Sequence, residues 1–216
     1  MKDFIKKYRH GWILSYAIFY LIIFNFLEHR TGVRMHTIHM DLDDAIPFIE
    51  WFIVPYLLWF AYIVAGVLFL FLTAPKKEFY QCCGYLFLGM TIFLMVSYFY
   101  PNGLHLRPSH LPRENWASNL VMALYHTDTS TNVFPSIHVY NSLVMHIALS
   151  RNDYFCKHKW LKNFSLILAV SIVFSTVFLK QHSLWDVFGG IFMTICFYPL
   201  FYPKTSEARE TFLSHR

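Results

Sequence analysis

Residues 80–103 read YQCCGYLFLGMTIFLMVSYFYPNG, without one acidic or basic side chain. A bilayer's hydrocarbon core is about 30 Å thick and takes roughly 20 mainly apolar residues to cross as a helix. Residues 80–100 therefore predict a membrane-spanning helix, and Pro101-Asn102-Gly103 behind them is a turn signal that stops it. Working outward, residues 54–72 predict a span before it, and 136–150, 164–179 and 186–202 predict three after it. Residues 12–27 predict a first span. The apolar run 45–73 is too long for one crossing. Pro47 and Pro55 divide it, so 46–51 is expected as a short interfacial helix ahead of the second span. The expected fold is all-α, an integral membrane bundle of six transmembrane helices forming a single membrane domain over 1–216.

Composition points the same way. Apolar residues make up 56% of the chain and charged residues 14%, against about 25% charged in ordinary soluble proteins. Too few polar side chains remain to coat a water-facing surface, and lipid removes that need. The net charge of +5 does not indicate nucleic acid, because the basic residues lie in short clusters between apolar runs, as loop anchors do. Cys82, Cys83, Cys156 and Cys196 show no metal-type spacing and predict no disulfide framework. The basic N-terminus leads into an apolar run with no small-residue cleavage site, which predicts a retained first helix. Thirteen Lys and Arg fall on the side holding both termini, against five (Arg30, Arg34, Arg107, Arg113, Lys180) on the other. The positive-inside rule then puts both termini in the cytoplasm of a multi-pass protein, in a bacterium that of its cell membrane. The loops with Arg107, His138 and His182 face outside.

Three segments on that outer side carry chemistry: Arg107-Pro108, Pro135-Ser136-Ile137-His138, and the junction from Ser175 to Asp186. Ionisable groups at a span's edge are expensive unless they share a wet cavity. Pro135 suits a first helical turn, where Ser136, Ile137 and His138 would offer free N–H groups and the positive dipole end to an anion. Arg107 supplies a planar fork for phosphate oxygens and Lys180 a point charge. His182 and Asp186 stand four apart, so Asp186 can accept one ring N–H and free the other nitrogen for attack. His138 is placed to act as the acid on the leaving oxygen. Together these are a nucleophile, an orienting group, a proton donor and an anion cradle.

These residues resemble the three ordered motifs of the type-2 phosphatidic acid phosphatase superfamily, K-x6-R-P, P-S-G-H and S-R-x5-H-x3-D. The resemblance covers residues 100–190. It implies hydrolysis through a phosphohistidine with no metal and no cofactor. His182 would be the nucleophile, Asp186 its orienting group and His138 the proton donor. Arg107, Lys180, Ser136 and the Ile137 N–H would bind phosphate. The chain departs from the pattern at Tyr100, Ile137 and Thr176, which stand for the first lysine, the small residue and the third-motif arginine. Lys180, one helical turn beyond Thr176, is expected to restore that last charge. Pro-Ser-Ile-His with Lys-Gln-His resembles the inositol phosphorylceramide synthase branch, which passes a phosphoryl head group to a lipid hydroxyl. Fewer cations would suit a less charged phosphodiester.

Blander readings stand beside these. Asp186 fits a helix N-cap as well, and Arg107 or Lys180 could anchor lipid phosphate at the interface. His36 and His39 before Asp41, Asp43 and Asp44 look like a metal set, but a solvated loop explains them better. Asp43, Asp44, Glu50 and Trp51 are expected at the substrate's access route. The outer loop with His105, His110, Arg113 and His126 is long enough to be a lid, and its stretch 127–132 is expected as a polar turn leading to the phosphate site. The expected activity is a membrane phosphatase acting on a phosphorylated lipid such as phosphatidate, phosphatidylglycerol phosphate or a polyprenyl diphosphate. Lipid phosphotransfer is the alternative. A transporter would need ionisable pairs at mid-membrane depth, and the spans hold almost none.

Overall fold

The computed structural model describes residues 8–203; Lys2, Lys6, Lys7, Lys204, Arg209 and Arg216, which enter the charge count, lie outside them. A 3-10 turn (Arg9–Ser15) runs into α1 (Tyr16–Glu28). Next come a short strand β1 (His36–Thr37), α2 (Asp41–Ala45) and a 3-10 turn (Glu50–Phe52) that feeds α3 (Ile53–Thr73). Helix α4 (Lys76–Phe99) leads to β2 (Asn102–Gly103), α5 (Trp116–Thr127), α6 (Ile137–Arg151), α7 (Asp153–Lys157), α8 (Lys159–Phe178) and α9 (Leu184–Phe201). Five helical stretches among the described residues are long and apolar enough to cross a membrane: Arg9–Glu28, Glu50–Thr73, Lys76–Phe99, Lys159–Phe178 and Leu184–Phe201.

Helix α6 is the exception, and packing explains it. Its 15 residues rise only about 22 Å, and it packs against α3, α4, α8 and α9 at once. Protein surrounds it, so Asn141 and Ser142 sit fully inside where lipid would penalise them. The other helices turn large apolar side chains outward, including Phe60, Phe99, Ile167, Phe192 and Ile195. Between helices the contacts are polar where lipid cannot compete. Tyr140 Oη donates to Tyr85 O at 2.6 Å, and Tyr62 Oη pairs with Ser165 Oγ at 2.7 Å. Such bonds tie spans together when apolar burial alone gives little drive.

Two local expectations change. The stretch 46–51 is not one helix: α2 ends at Ala45, Ile46 is extended (φ −74°, ψ 122°), and helix resumes only as the 3-10 turn. Pro47 keeps the residue before it out of the helical region. The long loop after α4 contains α5, which starts where the Asn115 side chain accepts Ser118 N at 3.0 Å. It buries Ala117, Ser118 and Val121, a face too narrow to announce itself as a span. Pro101-Asn102-Gly103 ends α4, yet the chain does not merely turn there. Asn102 and Gly103 pair in parallel with His36 and Thr37, and Gly103 bridges Thr131. A Cβ on Gly103 would lie 2.8 Å from Ser130 O, so only glycine allows that approach.

Candidate active site

The turn between α8 and α9 holds His182 and leads to Asp186, two of the candidate site residues. Helix α8 closes with Lys180 N on Val177 O (3.1 Å) and Gln181 N on Thr176 O (2.9 Å), the bond pair of a Schellman motif. Its left-handed position, usually glycine, is Lys180 with φ 53°. Lys180 is therefore not a further turn of helix on the face of Thr176, as the spacing suggested. Its Nζ donates to Asp43 O and Ile46 O, each at 2.6 Å. Burial pulls its pKa down, against the attraction of Asp43 and Asp44. The expected phosphate contact is replaced by a strut to the 43–46 segment.

Helix α9 begins one residue after its cap, Ser183, with Asp186 in the third position of a capping box. Asp186 is therefore not the N-cap itself. Its Oδ2 accepts Ser183 N at 2.9 Å and also faces His182 Nδ1 at 3.2 Å. A carboxylate only accepts, so this contact places a His182 ring proton on Nδ1, and the neutral ring then has its lone pair on Nε2. That Nε2 lies 3.3 Å from His138 Nδ1, which by the same logic is the protonated nitrogen. Asp186, His182 and His138 thus form one directed chain. The His138 ring sits between Trp59 and Tyr56, centroids 4.4 and 4.8 Å away.

Residues 134–136 are pressed against α9, and Gly190 allows it: a Cβ there would lie 2.8 Å from Ser136 O. Ser136, not Pro135, opens α6. Its N–H donates to Asp186 O at 3.0 Å and its Oγ caps Val139 N at 3.4 Å. Ser136 is fully buried and occupied as a cap instead of facing an anion. Ile137 and His138 lead the helix, in the first turn where α-helical N–H groups lack intrahelical partners.

Two hollows adjoin at His138, with Phe24, Asp128 and Ile137 also in both walls. A small one, about 40 Å³, carries Asp128, Thr131, His138, Gln181 and His182 in a wall completed by apolar side chains such as Phe93 and Ile137. A larger apolar chamber of about 500 Å³ runs from His138 and Asp128 out between α1, α3 and α5. Arg107 is adjacent but engaged. Its Nη1 donates to Tyr125 O (3.1 Å), and its Nη2 to Thr129 O (3.0 Å) and Gln181 Oε1 (2.6 Å). The guanidinium lies 4.5 Å over the Tyr125 ring, with Nε buried and unpartnered.

Two residues here, Asp128 and Gln181, escaped the sequence reading. Asp128 lines both hollows and takes the Tyr56 hydroxyl at 3.1 Å. Burial raises its carboxyl above the usual range, with Tyr56, His182 and Arg107 opposing and Glu28 adding to the rise. Gln181 is 3% exposed, and its Nε2 has no partner. Asp43, which the sequence reading put at the access route, is 2% exposed and accepts Ser183 Oγ (2.6 Å) and Leu184 N (2.9 Å). The signals were faint: Asp128 sits in the polar run expected to lead into the site, and Gln181 immediately precedes His182. Asp43 and Glu50 are internal braces, not walls of an access route. His36 stacks on Tyr100 at 4.3 Å and His39 pairs with Asp44 at 3.1 Å, so that histidine pair diverges.

Among known proteins, the PAP2 superfamily model matches residues 83–210. No curated protein and no solved structure matches the chain.

Proposed function

The chain belongs to the PAP2 superfamily, whose model covers more than half of it, and from that premise we propose a membrane phosphohydrolase working on lipid phosphates through a phosphohistidine at His182. The observation that carries this reading is the chain Asp186–His182–His138 set where a small pocket adjoins an apolar chamber. The pocket takes the phosphoryl group and the chamber takes the tail.

In the first step the phosphoryl group parts the two imidazoles, and His182 Nε2 forms the N–P bond as the P–O bond to the lipid alcohol breaks. An arriving anion favours the imidazolium form of His138, which gives its Nδ1 proton to the departing oxygen. Asp186 balances the positive charge growing on His182. Water then attacks phosphorus and returns a proton to His138, and the N–P bond breaks. Ile137 N–H and Gln181 Nε2 hold phosphoryl oxygens, with Arg107 behind Gln181; Ser136 and Lys180 shape the site from outside it.

We read α6 as a sixth crossing among the five longer ones, shortened because protein encloses it. Both termini then lie in the cytoplasm, with the site at the outer surface. Transfer to a lipid hydroxyl is the second reading, favoured by the apolar lining of the chamber next to His138, which suits an alcohol-bearing lipid better than bulk water.

Purified protein in detergent micelles with a lipid phosphate, chelator and no acceptor alcohol tests the proposal. The expected outcome is release of the lipid alcohol, lost in His182→Ala. Release that survives His182→Ala refutes the phosphohistidine. Release that starts only on adding a lipid alcohol moves the assignment to phosphotransfer.

A further inference from the structure

The charge around the reacting nitrogens is unusual for a site that binds phosphate. The wall of the small pocket contains no lysine or arginine. Lys180 is turned away onto Asp43 O and Ile46 O. Arg107 is spent on the Tyr125 and Thr129 carbonyls and on Gln181 Oε1. A carboxylate, Asp128, forms part of the wall, and Tyr56 holds its Oδ2 at 3.1 Å. Arginine only donates, so its bond fixes the Gln181 amide with the oxygen towards Arg107. The Gln181 Nε2 is left buried, unpartnered and in the wall that also carries both histidines. An unmet buried donor is costly, and among the described residues of this wall Gln181 Nε2 is the side-chain donor left buried without a partner for an incoming oxygen to meet.

We propose that this pocket accepts a phosphorus centre bearing a single negative charge, that of a lipid phosphodiester, with Gln181 as a neutral donor to a phosphoryl oxygen and Asp128 as the group that rejects dianionic monoesters. The inference rests on the phosphohistidine reading above and narrows it. A phosphate monoester has its second pKa near 6 and is close to −2 at neutral pH, whereas a diester stays at −1. The same wall that tolerates one charge repels the second, and rejection by a fixed like charge is a standard source of specificity. The chemistry balances without a further reactant. His182 Nε2 bonds to phosphorus as the lipid alcohol leaves with the proton from His138. Water then frees the head group as a phosphomonoester.

Two lipids with identical diacylglycerol tails separate the cases: phosphatidate, a monoester, and phosphatidylmethanol, a diester whose head adds no charge. Diacylglycerol release is followed at neutral pH in the same micelles. The wild-type protein is expected to favour the diester at least tenfold in kcat/KM. Asp128→Asn is expected to cut that ratio tenfold or more, through gain on phosphatidate, while Asp128→Glu keeps it. A wild-type preference for phosphatidate overturns the proposal whatever the variants do. So does an unchanged ratio in an Asp128→Asn protein that still cleaves both lipids. His182→Ala is the control on the parent reading: release from either lipid that survives it removes the phosphohistidine itself, whatever the ratio.

Discussion

The residues before position 83 and those after it do different work on the same site. After it, within the stretch that matches the superfamily, lie His138, His182 and Asp186. Before it lie Glu28, Asp43 and Glu50, each fastened to a different segment of the second region. Glu28, at the end of α1, accepts from Thr129, Thr131 and Asn132. Asp43 accepts from Ser183 and Leu184, and Glu50 from Arg113 and Asn115. On the proposed reading, one region supplies reacting atoms and the other supplies acceptors that hold the loops carrying them. A family signature finds the first kind of residue, because reacting atoms need fixed types at fixed spacing. Braces can be built from any acceptor that reaches.

The largest effect should come from the reacting region alone. His182→Ala is expected to cut turnover on the order of 10⁴-fold or more, with Tm in detergent moving by only about 3 °C, because Asp186 keeps its bond to Ser183 N. A large fall in Tm with it would show that the histidine also holds the fold, and the division of labour would blur.

Asp43→Ala tests whether a brace acts on chemistry. It orphans the Ser183 hydroxyl and the Leu184 N–H at the start of the helix bearing Asp186, a cost of about 3 kcal/mol for buried donors. The turn with His182 lies directly before them. A drift of roughly 1 Å there is worth about 10²-fold in rate, so kcat should fall by about that factor with KM little changed. Lower Tm with wild-type kcat would make Asp43 a brace of the fold only.

What the sequence made legible follows from the same split. Hydrocarbon thickness imposes a length on any lipid-facing helix, so α3, α4, α8 and α9 stand out as apolar runs. Helix α6 read weakly because its neighbours, not lipid, cover it. The four-residue step from His182 to Asp186 is local, and their contact follows from the start of α9. Asp43 meets Ser183 across 140 residues, and no spacing rule reaches that far. Lys180 misled for a backbone reason: a lysine in a left-handed turn does not continue the helix its neighbours suggest.

The brace at Glu50 should be separable from catalysis. Arg113→Ala leaves the fully buried Glu50 carboxylate with Asn115. Because the arginine is largely exposed, the loss should be about 1–2 kcal/mol, seen as a lower Tm with kcat retained. A rate loss as deep as that of Asp43→Ala would tie α5 to the chemistry as well.

The smallest effect, at Glu28, sharpens the comparison most, because it should act on binding. Both Glu28 oxygens accept from the 129–132 segment. In Glu28→Gln one oxygen becomes an NH₂. The amide oxygen can still take Asn132, and the threonine hydroxyls can turn to accept, so the net loss should be only about 0.5–1 kcal/mol. That segment adjoins Asp128 and supplies Thr129, Thr131 and Asn132 to the pocket wall, while Phe24, one helical turn before Glu28, lines both hollows. Loosening the wall weakens substrate and transition state alike, which raises KM about threefold and leaves kcat unchanged. The opposite pattern, a lower kcat at constant KM, would mean that α1 acts through the histidine pair, and the brace there would belong with Asp43.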